Sequence, residues 1–533
     1  VNDGVMSLEL ALRVTASLAL VGTLAFLPRA LAKAAAAVAV EERRWWLAGV
    51  GAALLLRLVV PGALVEVFTG FGLLDGIALG DVPPKYGAGQ GVLLGPLFAM
   101  CGASEQVVFS LHAVLGALSV GLCAALVGRW LGGGAAAAAW ALASLPLLVW
   151  HDRSEAATAP AWWAMSVALV LAHGASGAVE RVGAALAWAF AAHTRPEMLL
   201  AGLWLLPVLP GARGRGAWSG AAVAAALLLP QCLHVLGQFL VRSEGGDLPA
   251  SELFVLKLPV MLVWLNLALW PHAFPVALTL AGGWAAWLGW RSGDAAVRGL
   301  LRWLLPGMAV LMAPAMVDPV VVSLPRLEAP ALTLWAAAAA ALVWRAWLAG
   351  ASPDGQGGSR SGGGMRRRRW LAAGLLALSG LATLPWLYRR DNADDNTEFL
   401  RQAASLLEGK RGSVHLLSYD DLPLDKVSRH HPGWLFRLPR ADLRLRALRE
   451  LPPPGVAPRQ PTWVLLDARC HARHRRHDEA APATYDHPAC AAVRRRTDLK
   501  PVWQTALANR GDVHFPWWPQ QASLPCGLYA LDK

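Results

Sequence analysis

Charged side chains are scarce in residues 1–388, where a few short charged segments interrupt long apolar runs, while 389–533 is dense in Arg, Asp, His and Pro. One segment, 67–104, contains Asp75-Gly-Ile-Ala-Leu-Gly-Asp81-Val-Pro-Pro-Lys85-Tyr86 and follows an apolar run that ends near Glu66. A carboxylate where the chain leaves a membrane can take a proton from a hydroxyl or bind a divalent cation such as Mg or Mn, and Lys85 with Tyr86 can meet a phosphate. A second segment, His151-Asp152-Arg153-Ser154-Glu155, interrupts two apolar runs with ionisable groups. Such groups at a membrane boundary tend to face cavities and one another, whereas a plain turn is built from Gly, Asn or Ser. A third, His193-Thr194-Arg195-Pro196-Glu197, places a guanidinium suited to bidentate phosphate contact beside a carboxylate that can orient it. The bland alternatives are a solvated loop for the first segment and an Arg–Glu cap on a helix starting at Pro196 for the third. With Lys257 and Arg326, these residues compose a cationic, acid-flanked set suited to a pyrophosphate or phosphodiester at a lipid boundary.

The elements that must carry these segments follow from composition. Of 533 residues, 56% are hydrophobic and 16% charged, against about 25% charged in an average soluble domain. A spanning helix takes about 20 apolar residues. Candidates lie at 7–27, 46–66, 105–128, 134–151, 158–173, 179–194, 197–211, 217–241, 272–290, 303–318, 326–348 and 370–388, about 12 in all. The shorter run 254–270, interrupted by Lys257 and Pro259, reads as a re-entrant or interfacial helix. The first run reads as an anchor rather than a cleaved leader, because another span follows it. Val1 reads as an alternative bacterial start codon.

Sidedness follows from the basic loops. Arg29 to Arg44, Arg129, Arg181, Arg213 with Arg215, Arg291 to Arg302, and Arg366 to Arg369 fall on one face, taken as cytoplasmic. Segments 67–104, 151–158, 193–197, 242–271 and 318–326 then share the opposite face with the tail. The expected organisation is an anchor and basic loop at 1–44, a membrane core at 45–350, a Gly/Ser/Arg linker at 351–369, a last span at 370–388 and a soluble domain at 389–533. The expected location is a bacterial inner (cytoplasmic) membrane, with 389–533 in the periplasm. In the tail, 398–407 reads as a helix and 413–417 and 462–466 as buried strands, giving a small α/β unit.

The net charge of +12 sits in short loops and the tail without an aromatic-interleaved stripe, so nucleic acid is not an expected partner. Of six cysteines, Cys101, Cys123 and Cys232 lie in apolar runs. In the tail a Cys470–Cys490 disulfide suits an oxidising compartment, with Cys526 left over to exchange. The run around Cys470, His474 and His477 fits no zinc spacing, and its arginines repel a cation. Many of the 26 tryptophans lie near span ends, where indoles favour the interface.

In order and sidedness these features resemble the GT-C glycosyltransferases that use polyprenyl-phosphate sugars, the protein mannosyltransferases and lipid A aminoarabinose transferases among them. The resemblance rests on an acidic first outer loop, Gly80-Asp81 and Pro83-Pro84-Lys85-Tyr86, the charged turn Asp152 to Glu155, Thr194-Arg195-Pro196-Glu197, Pro325-Arg326-Leu327-Glu328, and an outer soluble tail. It covers most of the chain. It implies a mostly α polytopic fold with a small C-terminal α/β domain. It also implies inverting transfer of one sugar from the lipid-phosphate donor to an envelope lipid, glycan or protein acceptor at the outer leaflet. By position it makes Asp75 or Asp81 the base, with Asp152 or Glu155 as second acid, and gives Lys85, Arg195 and Arg326 to the carrier phosphate. The Asp-Glu pair common after the family's first core span is absent, and only Glu66 lies near that place. The alternatives are a transporter or flippase for a polar lipid, whose charges would sit mid-span as Arg57 does, and a non-catalytic protein of envelope assembly.

Overall fold

A computed structural model of the chain describes residues 2–60, 62, 77, 87–154, 156–173, 175, 177–205, 218–244, 275–312, 329–349, 392–417, 443–471, 486–508 and 523–531. The membrane part is helical throughout these residues: α1 (Asn2–Ala37), α2 (Arg43–Val59), α3 (Gly89–Cys101), α4 (Glu105–Leu131), α5 (Ala135–Ala143), α6 (Pro146–Asp152), α7 (Thr158–His173), α8 (Ala178–Thr194), α9 (Met198–Ala201), α10 (Ser219–Glu244), α11 (Val276–Ser292), α12 (Ala295–Met312) and α13 (Ala329–Ala349). Four of the described helices contain a segment long and apolar enough to cross a membrane, namely Leu8–Ala37, Glu105–Leu131, Ser219–Gly237 and Ala329–Trp347. The expected re-entrant or interfacial helix at 254–270 and the expected span at 370–388 lie outside the described residues, as does the linker 351–369.

Several expected boundaries shift for identifiable reasons. The run expected as one span at 134–151 is two helices, because Pro146 opens α6 and forces Leu145 into extended backbone (φ −65°, ψ 113°). Helix α1 continues to Ala37, so Arg29 and Lys33 are helical rather than part of a basic loop; both pair with buried Glu180 of α8, at 2.7 and 2.9 Å. Arg298 and Arg302 are likewise helical, since α12 begins at Ala295. The segment expected as an outer loop contains α3, whose Leu94 and Phe98 are buried.

α4 is the central strut. Ser104 caps its start by accepting from the Gln106 amide (3.2 Å), and Gly132 ends it at φ +69°, a left-handed conformation that suits glycine. Small residues let its neighbours close in: a Cβ on Gly121 would lie 3.1 Å from Val50, and Trp46 donates its indole N–H to the Gly121 carbonyl (3.1 Å). The alanines of α5 and of 336–341 in α13 are buried against each other in the same way.

The tail opens with α14 (Asn392–Leu406) and builds one mixed sheet in the order β2-β1-β3-β5-β4. Its strands are β1 (Gly412–Leu416), β2 (Leu443–Ala447), β3 (Thr462–Leu466), β4 (Leu499–Ala508) and β5 (Ser523–Leu531). β1 runs parallel to β2 and β3, while β5 is antiparallel to β3 and β4. Phe399 of α14 stacks on Trp503 with centroids 4.9 Å apart. Cys470 and Cys490 form a disulfide, Cys490 lying on the short helix α15 (Pro488–Arg494). Cys526 is not poised for exchange, because burial, and then Asp467, pushes its thiol well above the usual range. The tail docks on the membrane part where α3 ends and α4 begins: Arg401 donates to Glu105 at 2.7 Å, and Leu94, Phe98, Val108 and Phe109 join the apolar cluster that contains Phe399 and Leu400.

His415 of β1 is buried and donates from Nδ1 to the Ala447 carbonyl (3.2 Å). Burial, above all, holds its pKa below the ordinary 6.5, against that hydrogen bond and Glu450 and with help from Arg446 and Arg496. The folded tail therefore binds this proton less readily than the unfolded chain, and the contribution is present above 6.5 and lost as pH falls through that value towards the folded one. The tail of the full-length protein should melt earlier at about pH 5 than at about pH 7.5, and His415→Gln should flatten the difference, read by protease resistance on heating.

Candidate functional site

Two of the charged turns meet inside the helical bundle. The first closes α6 at Ser154, which donates from Oγ to the His151 carbonyl (3.0 Å) and accepts from the Ala156 amide (3.2 Å). Asp152 leaves this turn toward α2, where Arg57 donates from Nε to Oδ2 at 2.6 Å. Both residues are buried, at 2% and 4% exposure. Arg57, which in the sequence looks like a lone mid-span charge, is half of a buried pair. Its Nη1 also donates to the carbonyls of Ala53 and Ala143, each at 3.1 Å, and the second is the last residue of α5. Nη2 makes no hydrogen bond among the described residues.

α4 closes the turn from the other side. A Cβ on Gly116 would come within 2.2 Å of the Asp152 carboxyl carbon, so only glycine leaves room for the pair. One helical turn earlier, His112 contacts the Ser154 carbonyl through Nδ1 (2.7 Å). A carbonyl only accepts, so Nδ1 carries the proton, and in the neutral ring Nε2 is an acceptor. That nitrogen is buried and has no partner among the described residues.

The second turn follows α8. Arg195 donates from Nη1 to Thr158 Oγ1 (2.6 Å), at the start of α7, and from Nε to Glu197 Oε1. This joins the 151–158 and 193–197 turns. His193 points the other way, its Nε2 donating to the Leu227 carbonyl of α10 (2.9 Å). The chain passes the same place at Gly87, whose φ of +105° and close approach to the His193 carbonyl (2.9 Å from a Cβ) admit only glycine. Arg153 is buried beside Asp152.

The described candidates thus share one polar layer, in which Arg57 faces Asp152, Arg195 faces Glu197, and Arg153 adds a third buried guanidinium. Glu66, Asp75, Asp81, Lys85, Tyr86, Glu155, Lys257 and Arg326 lie outside the described residues. Among the described residues no three His, Cys, Asp or Glu side chains gather as metal ligands. Sequence reading passed over His112 and Thr158. His112 carried a usable signal, a titratable side chain inside an apolar run; Thr158 carried none, since its role appears only when Arg195 reaches it.

No family model matches the chain, and no curated protein matches its sequence. Solved structures do. The chain is similar to apo ArnT from Cupriavidus metallidurans, with a TM-score of 0.50 and 14% identity over 92% of this chain and 98% of that one. A weaker likeness, with a TM-score of 0.40 and 11% identity, links 71% of it to 60% of an Archaeoglobus fulgidus oligosaccharyltransferase crystallised with zinc and sulfate. The chain shares its fold with ArnT over 92% of its length.

Removing one member of a buried ion pair strands the other, at a cost of about 3–5 kcal/mol, whereas apolar replacement of both is often neutral. Arg57→Gln and Asp152→Asn should each lower the melting temperature of the detergent-solubilised protein markedly, and Arg57→Met with Asp152→Leu should recover most of the loss. A loss in the double variant equal to the sum of the two single losses would mean that the pair is incidental.

Proposed function

We propose that the chain is a membrane glycosyltransferase that moves one sugar from a polyprenyl-phosphate-linked donor to an envelope lipid, glycan or protein acceptor at the outer leaflet of a bacterial inner membrane. The observation that carries this reading is the fold shared with ArnT over 92% of the chain. In this reading residues 1–44, 45–350, 351–369, 370–388 and 389–533 are the anchor, catalytic core, cytoplasmic linker, last span and periplasmic domain. An acid of the outer loop, Asp75 or Asp81 with Glu66 as the third candidate, removes the proton from the acceptor hydroxyl. The donor's lipid phosphate is a stable anion and departs without strong acid help, so cations suffice to hold it. Arg153, Lys85, Lys257 and Arg326 are the candidates for that work, with Tyr86 and Glu155 beside them.

Asp152, Arg195, Glu197 and His193 take a different part in this reading. Their partners are Arg57, Thr158 and the Leu227 carbonyl. They hold the turns in place, and reacting groups from the outer loop are presented against that frame. A divalent cation, Mg or Mn, would have to be held by the acids of 66–81 and Glu155. The transporter alternative is not favoured, because the mid-span charge of Arg57 is paired with buried Asp152.

Asp75→Ala and Asp81→Ala should leave the protein abundant in membranes, and at least one should lower release of polyprenyl phosphate from the sugar-linked donor by about 100-fold or more. Full activity in the double variant would remove both from the mechanism. The orientation has its own test at Val456, an exposed tail residue (52%). In a Val456→Cys variant an impermeant maleimide should label intact spheroplasts, and labelling restricted to inverted vesicles would reverse the topology.

A further inference from the structure

The end of the bundle remote from the tail carries a second, unused concentration of charge. α4 spans about 40 Å from Glu105, where Arg401 of the tail is bound, to Leu131. At that far end Arg345 of α13 donates to the Leu131 carbonyl and, from Nε and Nη2, to Asp294 Oδ2 (3.1 and 2.8 Å). Asp294 sits at the corner between α11 and α12, so this corner is fastened to the end of α4 opposite the soluble domain.

Around the corner stand three more guanidiniums. Arg291 lies over the Trp287 ring, 5.3 Å from its centroid, while Arg298 and Arg302 lie over the Trp290 ring at 5.7 and 5.9 Å. Arg298 spends Nε and Nη2 on the Trp290 carbonyl and so caps α11. Arg291 and Arg302 are exposed and make no hydrogen bond or ion pair among the described residues. The carboxylate beside them cannot serve: Asp294 Oδ1 accepts from the Ala296 and Val297 amides, and Oδ2 is taken by Arg345. Three like charges therefore share two indoles with no counter-ion among the described residues, an arrangement that costs stability unless an anion completes it.

The surface leading away from these charges is apolar. Leu280 and Trp284 are exposed at 62% and 63%, and Trp287 at 46%, and they run at helical spacing along α11 to Arg291. Trp284 and Trp287 lean on each other with centroids 5.0 Å apart. A polar anion site at one end of an exposed apolar stripe has the shape of a headgroup and its acyl chain, and indoles favour the depth between them.

We propose that Arg291, Arg302 and Arg298 bind the phosphate of an anionic glycerophospholipid in the leaflet remote from the soluble domain, with an acyl chain lying along Leu280, Trp284 and Trp287. Arg291 and Arg302, which have no hydrogen-bond or ion-pair partner among the described residues, supply the attraction. The tryptophans set its depth. This site is separate from the polar layer around Asp152 and needs no assumption about what the chain catalyses.

The test compares the full-length protein and an Arg291→Gln/Arg302→Gln variant in nanodiscs of phosphatidylcholine with or without phosphatidylglycerol, counting retained lipids by native mass spectrometry. Wild-type protein should retain phosphatidylglycerol over phosphatidylcholine by roughly tenfold, and the variant should fall close to parity. Both side chains are exposed, so the two proteins should melt together in pure phosphatidylcholine. A preference unchanged in the variant overturns the proposal. So does inorganic phosphate matching the stabilisation given by phosphatidylglycerol, because the site would then take a free anion and no lipid. Trp284→Ala/Trp287→Ala should reduce retention of the lipid while leaving the headgroup preference in place, and unchanged retention there overturns the acyl-chain half.

Discussion

A guanidinium and a carboxylate inside an apolar bundle persist only as a pair, and in this chain the rest of the polar layer is arranged around one such pair, Arg57 with Asp152. The reason begins with Pro146. By ending α5 early it leaves the Ala143 carbonyl without a helical partner in a place water does not reach, and Arg57 supplies the missing donor. The same side chain neutralises Asp152, and Asp152 fits only because Gly116 has no side chain. Four helices are thereby locked at one point, and the 151–158 turn is held at a defined depth.

From that point the architecture grows outward in both directions along α4. Toward Glu105 it meets Arg401 and an apolar cluster shared with α14, so the soluble domain is seated on the helical part by a charge pair and by packing together. Toward Leu131 it meets Arg345 and the α11–α12 corner. The two ends differ in kind. At the first end the described cation meets a protein carboxylate. At the second the nearby carboxylate is already saturated, and surplus guanidiniums face outward with exposed indoles. This asymmetry is what a protein in a bilayer with distinct faces is expected to carry.

Much of this was legible in the residues, and unevenly so. The run 158–173 is α7 to the residue, because its apolar stretch is bounded by a turn on each side, and 462–466 is β3, because a short β-branched and apolar run between turn signals has few other options. Cys470 and Cys490 pair as read. The run 134–151 misled because apolar content continues across a proline that breaks the backbone. The stretch 89–101 misled because the turn signals Gly80-Asp81 and Pro83-Pro84 before it mark a loop, although most of its own side chains are apolar and it packs as a helix.

Composition and periodicity alone determined that the chain is a mostly helical membrane protein with a small α/β tail, since both depend on the solvent each residue prefers and can be counted along the chain. They also marked Asp152, Arg153, Arg195 and Glu197 as residues that needed a reason to be there. Tertiary structure alone decided what those residues face. Arg57 and Asp152 are 95 positions apart, Arg195 and Thr158 are 37, and Arg345 reaches Leu131 across 214. Hydrogen bonds of that kind last a few ångströms in space and leave no period in sequence, so a charge that looked available in the chain proved to be committed in the fold.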